Sequence, residues 1–196
     1  WNFSLMPIAH PAGLPPMALV QALEDLELAD ADLEAAVTTC VTSRLINSGQ
    51  SCIAAKRFIV VEAIRDRFEA LFVERMRSAK MGDPLVETTT VGPLARCDLR
   101  DELHQQVQKS IAQGAVCLLG GELPEGPGAF YPPTVLTHIK PGMPAYEEEL
   151  FGPVAAIISA RDEAEAITIA NDTRFGLGAA VFTRDVTKGE RIAANE

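Results

Sequence analysis

Arg57-Phe58-Ile59-Val60-Val61 runs without a break into Glu62-Ala63-Ile64-Arg65-Asp66-Arg67-Phe68-Glu69-Ala70-Leu71-Phe72-Val73-Glu74-Arg75-Met76. The change of pattern across that join decides the fold class. The first part, apolar and β-branched after Arg57, reads as a strand buried on both faces. From about Ala63 to Lys80, Ile64, Phe68, Leu71, Phe72 and Met76 fall on one helical face, and Gly82-Asp83-Pro84 ends the helix. A buried strand that feeds an amphipathic helix is the first half of a strand-helix-strand crossover.

Working outward, the same alternation recurs. Upstream, Asp30 or Asp32 caps a helix with the stripe Val37, Cys40, Val41 and Leu45, and the turn-forming residues 47–51 interrupt it. Downstream, a helix with Leu99, Leu103, Val107 and Ile111 on one face stops at Gly114, and Val116 to Leu119 reads as a short buried strand. Residues 122–144 are rich in Pro and Gly, with one extended piece at Tyr131 to Leu136. Val154 to Ser159 is another strong strand, and Asp162 with Glu165 forms a capping box ahead of Ala166, Ile167 and Ala170. Ala179 to Thr183 is a further strand, and Asp185 opens a last helix. Pro7, Pro11, Pro15 and Pro16 break the N-terminal stretch, leaving room for a brief helix around Met17 to Leu26. The expectation is an atypical Pro-rich segment, 1–29, followed by one α/β domain, 30–196, with a mainly parallel sheet covered on both faces.

Charge narrows the function classes. Seventeen Lys and Arg against 27 Asp and Glu leave a net charge of −10, which repels nucleic acid and anionic membranes in the absence of a basic patch. The longest basic grouping is Lys56-Arg57, and there is no uninterrupted apolar run of about 18 residues. The N-terminus lacks the pattern of a secretory signal. Cysteines at 40, 52, 97 and 117 form no CxxC pair and have no ligand spacing with His10, His104 or His138. Neither zinc nor a disulfide scaffold is expected, and a reducing cytoplasm is the simplest setting.

The four thiols are not equivalent. Cys40 lies on an apolar stripe and Cys117 in an apolar strand, where packing explains them. Cys97 stands at the start of a helix, whose dipole lowers a thiol pKa, but it also reads as an incidental surface thiol. Cys52 follows the polar turn Gly49-Gln50-Ser51 between a helix and a strand. Such a turn presents both a side chain and a backbone N–H to a substrate.

The segment Asn47-Ser48-Gly49-Gln50-Ser51-Cys52-Ile53-Ala54-Ala55-Lys56-Arg57 resembles the nucleophile motif of aldehyde dehydrogenases, most closely the succinate-semialdehyde branch. In matching order follow Lys80-Met81-Gly82-Asp83-Pro84-Leu85, Gly92-Pro93-Leu94, Phe130-Tyr131-Pro132-Pro133-Thr134-Val135-Leu136, Glu148-Glu149-Leu150-Phe151-Gly152-Pro153-Val154 and Asn171-Asp172-Thr173-Arg174-Phe175-Gly176-Leu177. The likeness spans residues 28 to 196 and implies the three-layer α/β/α catalytic domain of that family. It also implies an oxidoreductase that converts an aldehyde, on subfamily likeness a semialdehyde, to its acid with NAD or NADP. The route passes through a Cys thiohemiacetal and a thioester.

By motif position, the resemblance makes Cys52 the nucleophile, Glu149 the partner of the nicotinamide-side ribose hydroxyls and Phe151 the flank of the nicotinamide ring. Asn2, in Trp1-Asn2-Phe3, would be the oxyanion donor. Lys56 either supports the thiolate electrostatically or is a solvated surface lysine. The family's spacing puts the general-base glutamate at Ala18, so that carboxylate is missing, and neither Glu24 nor Glu27 has a motif behind it. No GxGxxG or Walker loop is present. Measured against the family's layout, the sequence reads as internally deleted and C-terminally shortened, or as joined to a foreign N-terminal stretch. The partners expected are a small aldehyde and further copies of the chain. The alternatives are a non-catalytic remnant acting as an interaction module, and a cofactor-independent thiol esterase.

Overall fold

The computed structural model describes residues 19–21, 30–176, 178–183 and 185–194. Strands β1 (Leu19–Gln21), β2 (Arg57–Val61), β3 (Val116–Leu119), β4 (Thr134–Thr137), β5 (Val154–Ala160) and β6 (Ala179–Val181) form one sheet in the order β3-β4-β5-β2-β1-β6. Every neighbouring pair is parallel except β3 with β4. Helices α1 (Asp30–Leu45), α2 (Glu62–Arg77), α3 (Cys97–Ala112), α4 (Pro144–Glu147), α5 (Glu163–Asn171) and α6 (Val186–Ala193) connect and cover it.

Strand β2 is buried at every position, and β5 is buried at all but one. Side chains alternate between sheet faces, so both faces are covered, and the architecture is the three-layer α/β/α arrangement expected. Helix α2 shows how one layer attaches. Ile64, Phe68, Phe72 and Met76 are its buried residues, and the Phe72 ring packs 4.8 Å from Phe58 of β2 and 5.4 Å from Phe68. Burial of each such side chain is worth about 1.5–3 kcal/mol.

Three local expectations need correction. Residues 19–21 form a strand, not a helical turn: Leu19 and Val20 pair with Arg57 and Phe58 on one side and with Ala179 and Ala180 on the other. Two flanking strands offer more backbone hydrogen bonds than an isolated short helix provides. Part of the Pro-rich N-terminal segment is thereby an interior strand of the sheet.

Strand β3 is an edge strand held by β4 alone, so Cys117 is half-buried and its Sγ donates to the Leu119 carbonyl at 3.2 Å. At α5, Asp162 accepts from the Glu165 N–H at 2.9 Å as a capping box requires. The returning arm from Glu165, however, reaches the N–H of Arg161 at 2.6 Å, one residue earlier.

Candidate active site

Cys52 is exposed on the turn between the 3₁₀ segment Ile46–Gly49 and β2. Three sets of contacts shape that turn. Asn47 and Ser48 adopt positive φ (50° and 55°), and Asn47 Nδ2 donates to the Gln50 carbonyl at 3.1 Å, a local bond that suits an asparagine in this region. Ser48 Oγ accepts from the Gly92 N–H at 2.9 Å, and Gln50 Oε1 accepts from the Ala95 N–H at 2.7 Å. The turn is thus clamped to the Gly92-Pro93-Leu94 segment, more than 40 residues away.

Gly49, at φ +76°, lies so close to Gly152 that a Cβ there would overlap the Gly152 carbonyl. Only glycine satisfies both the dihedral and the space. This contact brings the Glu148–Pro153 loop against the cysteine turn.

Two buried cations lie beneath the turn. Lys56 is 2% exposed, and its Nζ donates to the carbonyls of Ser51 (3.1 Å), Cys52 (3.2 Å) and Ala54 (3.1 Å). The same atom lies 3.1 Å from Glu149 Oε1 and 5.9 Å from the centre of the Phe151 ring. Lys56 is therefore not a solvated surface lysine. Burial and the neighbouring Arg44 push its pKa below the ordinary lysine value, while Glu149 and Cys52 oppose the shift.

Arg44 is fully buried and donates to the Gly49 carbonyl at 2.8 Å and the Val154 carbonyl at 3.2 Å. Its Nε has no partner among the described residues. Burial pushes its pKa down to about 9, opposed by the charge of Glu149.

Glu149 is about one-third exposed, so an ion-paired carboxylate still faces solvent. Its backbone is held by Gln106, whose Nε2 donates to Glu148 Oε2 at 2.9 Å and to the Glu149 carbonyl at 3.3 Å. Phe151 is 38% exposed, a large amount for an aromatic ring beside a cation. A partly exposed carboxylate, able to accept from hydroxyl groups, and a partly exposed aromatic ring are compatible with the ribose and ring of a nicotinamide nucleotide.

The structure gathers three of the four site residues read from sequence: Cys52, Glu149 and Phe151. The fourth, Asn2, lies outside the described residues, as do Ala18, Glu24 and Glu27. Arg44 was missed, although its spacing from Val37 and Cys40 puts it on the buried stripe of α1. Among the described residues no group of three or more His, Cys, Asp or Glu is placed to hold a metal ion. None of the described helices is long and apolar enough to cross a membrane.

Comparison with known proteins bears on the family and the fold. The sequence model of the aldehyde dehydrogenase family matches residues 27–195. A succinate semialdehyde dehydrogenase of the NAD(P)+ type from Escherichia coli K12 is 54% identical over 167 residues, 85% of this chain and 36% of the relative. An NADP(+) succinate-semialdehyde dehydrogenase of Mycobacterium avium is 52% identical over 83% of this chain and 34% of its own length. Among solved structures, succinic semialdehyde dehydrogenase from Streptococcus pyogenes in complex with NADP+ superposes with a TM-score of 0.84. It is 34% identical, covering 93% of this chain and 39% of that one. Lactaldehyde dehydrogenase from Escherichia coli superposes equally well, at 33% identity. The chain thus spans about a third of the length of the curated relatives it matches.

Proposed function

Since the chain belongs to the aldehyde dehydrogenase family, we propose that it carries the thiol chemistry of a semialdehyde oxidation, with Cys52 as nucleophile. The observation that carries this reading is the placement of an exposed thiol on a turn locked, through Gly49 and Lys56, to the Glu149–Phe151 loop.

The Cys52 thiolate attacks the aldehyde carbon, a new S–C bond forms, and the carbonyl π pair moves onto oxygen. The backbone N–H of Cys52 is a donor for that oxyanion, and the side-chain amide of Asn2 would be the second by family resemblance. Glu149 would hold the ribose hydroxyls of NAD or NADP, and Phe151 would flank the nicotinamide ring. What the nicotinamide supplies, when bound, is the acceptor for the hydride that leaves the carbon, so that a thioester remains on Cys52.

With alanine at position 18, where the family places its general base, deacylation slows by about 10²–10⁴-fold. The acyl group accumulates on sulfur. The proposed substrate is a semialdehyde such as succinate semialdehyde, after which the similar enzymes of Escherichia coli, Mycobacterium avium and Streptococcus pyogenes are named. Four free thiols suit a reducing cytoplasm, and the adjacent exposed apolar residues Leu85 and Val86, outside the proposed cofactor contacts, suit self-association into a homo-oligomer.

The test is acyl transfer from p-nitrophenyl acetate to the 196-residue chain, followed by peptide mass spectrometry. One acetyl group should appear on Cys52 and persist. Equal acetylation of all four cysteines, or none at Cys52, would reject the assignment.

A further inference from the structure

Lys56 has three N–H donors and four oxygens within 3.2 Å: the carbonyls of Ser51, Cys52 and Ala54, and Glu149 Oε1. One acceptor is always underserved, so the carboxylate competes with the peptide that carries the nucleophile. At 2% exposure the ammonium has almost no water to make up the shortfall. The other end of this contest is open, because Glu149 is one-third exposed.

We propose that Lys56 is a positioning residue that divides its charge between Glu149 and the Cys52 peptide, so that hydroxyl groups engaging Glu149 raise the reactivity of the thiol. The inference rests on Cys52 being the nucleophile. When a vicinal diol donates to the Glu149 carboxylate, the carboxylate's hold on Nζ weakens. The ammonium then settles on the Ser51 and Cys52 carbonyls, and its charge next to the thiolate is less compensated. Occupation of the carboxylate site thereby sharpens the nucleophile before an aldehyde arrives. The charged groups facing the ammonium are Arg44 from α1, Glu149 from the loop ahead of β5 and Cys52 on its own turn. Arg44 is held by the Gly49 and Val154 carbonyls, so the charge that can be redistributed is that of Lys56.

The test uses the full chain and iodoacetamide, which forms an Sγ–C bond as iodide leaves. Cys52 labelling is followed by mass spectrometry from acid to alkaline pH, in the parent, Lys56→Met, Glu149→Gln and the double variant, with thermal melting as a check on folding. In the parent, Cys52 labels faster than Cys97; the reverse order would undo the nucleophile assignment and this inference with it. Lys56→Met shifts the midpoint of the pH profile upward and slows labelling at neutral pH by roughly three- to tenfold.

Glu149→Gln acts in the opposite direction, lowering the midpoint and speeding labelling about threefold. Loss of packing alone would move both variants the same way. In the double variant the Glu149→Gln effect shrinks to less than half, whereas additive shifts would show two independent charges and overturn the coupling. If Lys56→Met does not fold, Glu149→Gln alone decides: a midpoint that stays or rises overturns the proposal.

Discussion

Cys52 and Cys97 are both exposed, each has a cationic side chain nearby, and their surroundings differ in kind. Beside Cys97, Arg96 is clamped by Asp98 in a two-point pair at 2.9 and 2.8 Å, out in solvent. That cation is neutralised and screened, and exposed pairs of this type contribute little to their neighbours. Beneath Cys52, two buried cations, Arg44 and Lys56, face a single partly exposed carboxylate. The local charge is net positive, in a place that salt and water reach poorly. On the proposed reading, exposure alone does not select the reactive thiol; the dielectric and the balance of charge below it do.

The largest effect that could break this contrast is a direct exchange of roles. Cys52→Ala should abolish covalent acylation by the activated ester, and Cys97→Ala should leave its rate unchanged within about twofold. Acylation surviving in Cys52→Ala would erase the distinction between the two thiols.

Next comes the scaffold of the turn. Gly49→Ala pushes a Cβ into the Gly152 carbonyl at φ +76°, and the strain and overlap should cost about 2–4 kcal/mol in a denaturant melt. Gly126→Ala has φ +105° but open space around it, so its cost should stay near 1 kcal/mol. Equal losses would mean that the Gly49–Gly152 contact does not hold the site together.

A smaller effect concerns Tyr146, whose hydroxyl donates to Asp172 at 2.7 Å. Burial, then the Asp172 bond, pushes its pKa up to about 12 from 10.0. A raised folded-state pKa contributes stability that is complete below the unfolded value and is lost as pH climbs through the folded one. Between about pH 10 and 12 the melting temperature should thus fall further in the parent than in Tyr146→Phe. Identical slopes would place that hydroxyl in water. The smallest effect is expected at the control thiol: Arg96→Gln should change Cys97 labelling by less than about twofold.

Cys52 was singled out as the candidate nucleophile by family resemblance; sequence by itself determined the α/β class and most of the order of strands and helices from residue 30 onward. These depend on local periodicity and turn chemistry, which the backbone of each segment imposes on its own residues: the strand 57–61 and the helical stripe of Ile64, Phe68, Phe72 and Met76 were legible for this reason. Tertiary structure decided the rest. Leu19–Gln21 became a strand because β2 and β6 offer partners on both sides. Lys56 and Arg44 became buried cations because carbonyls and a carboxylate from chain as much as 110 residues away converge on them. A charged side chain leaves water only where such partners are assembled, and no window of sequence around residue 44 or 56 contains them all.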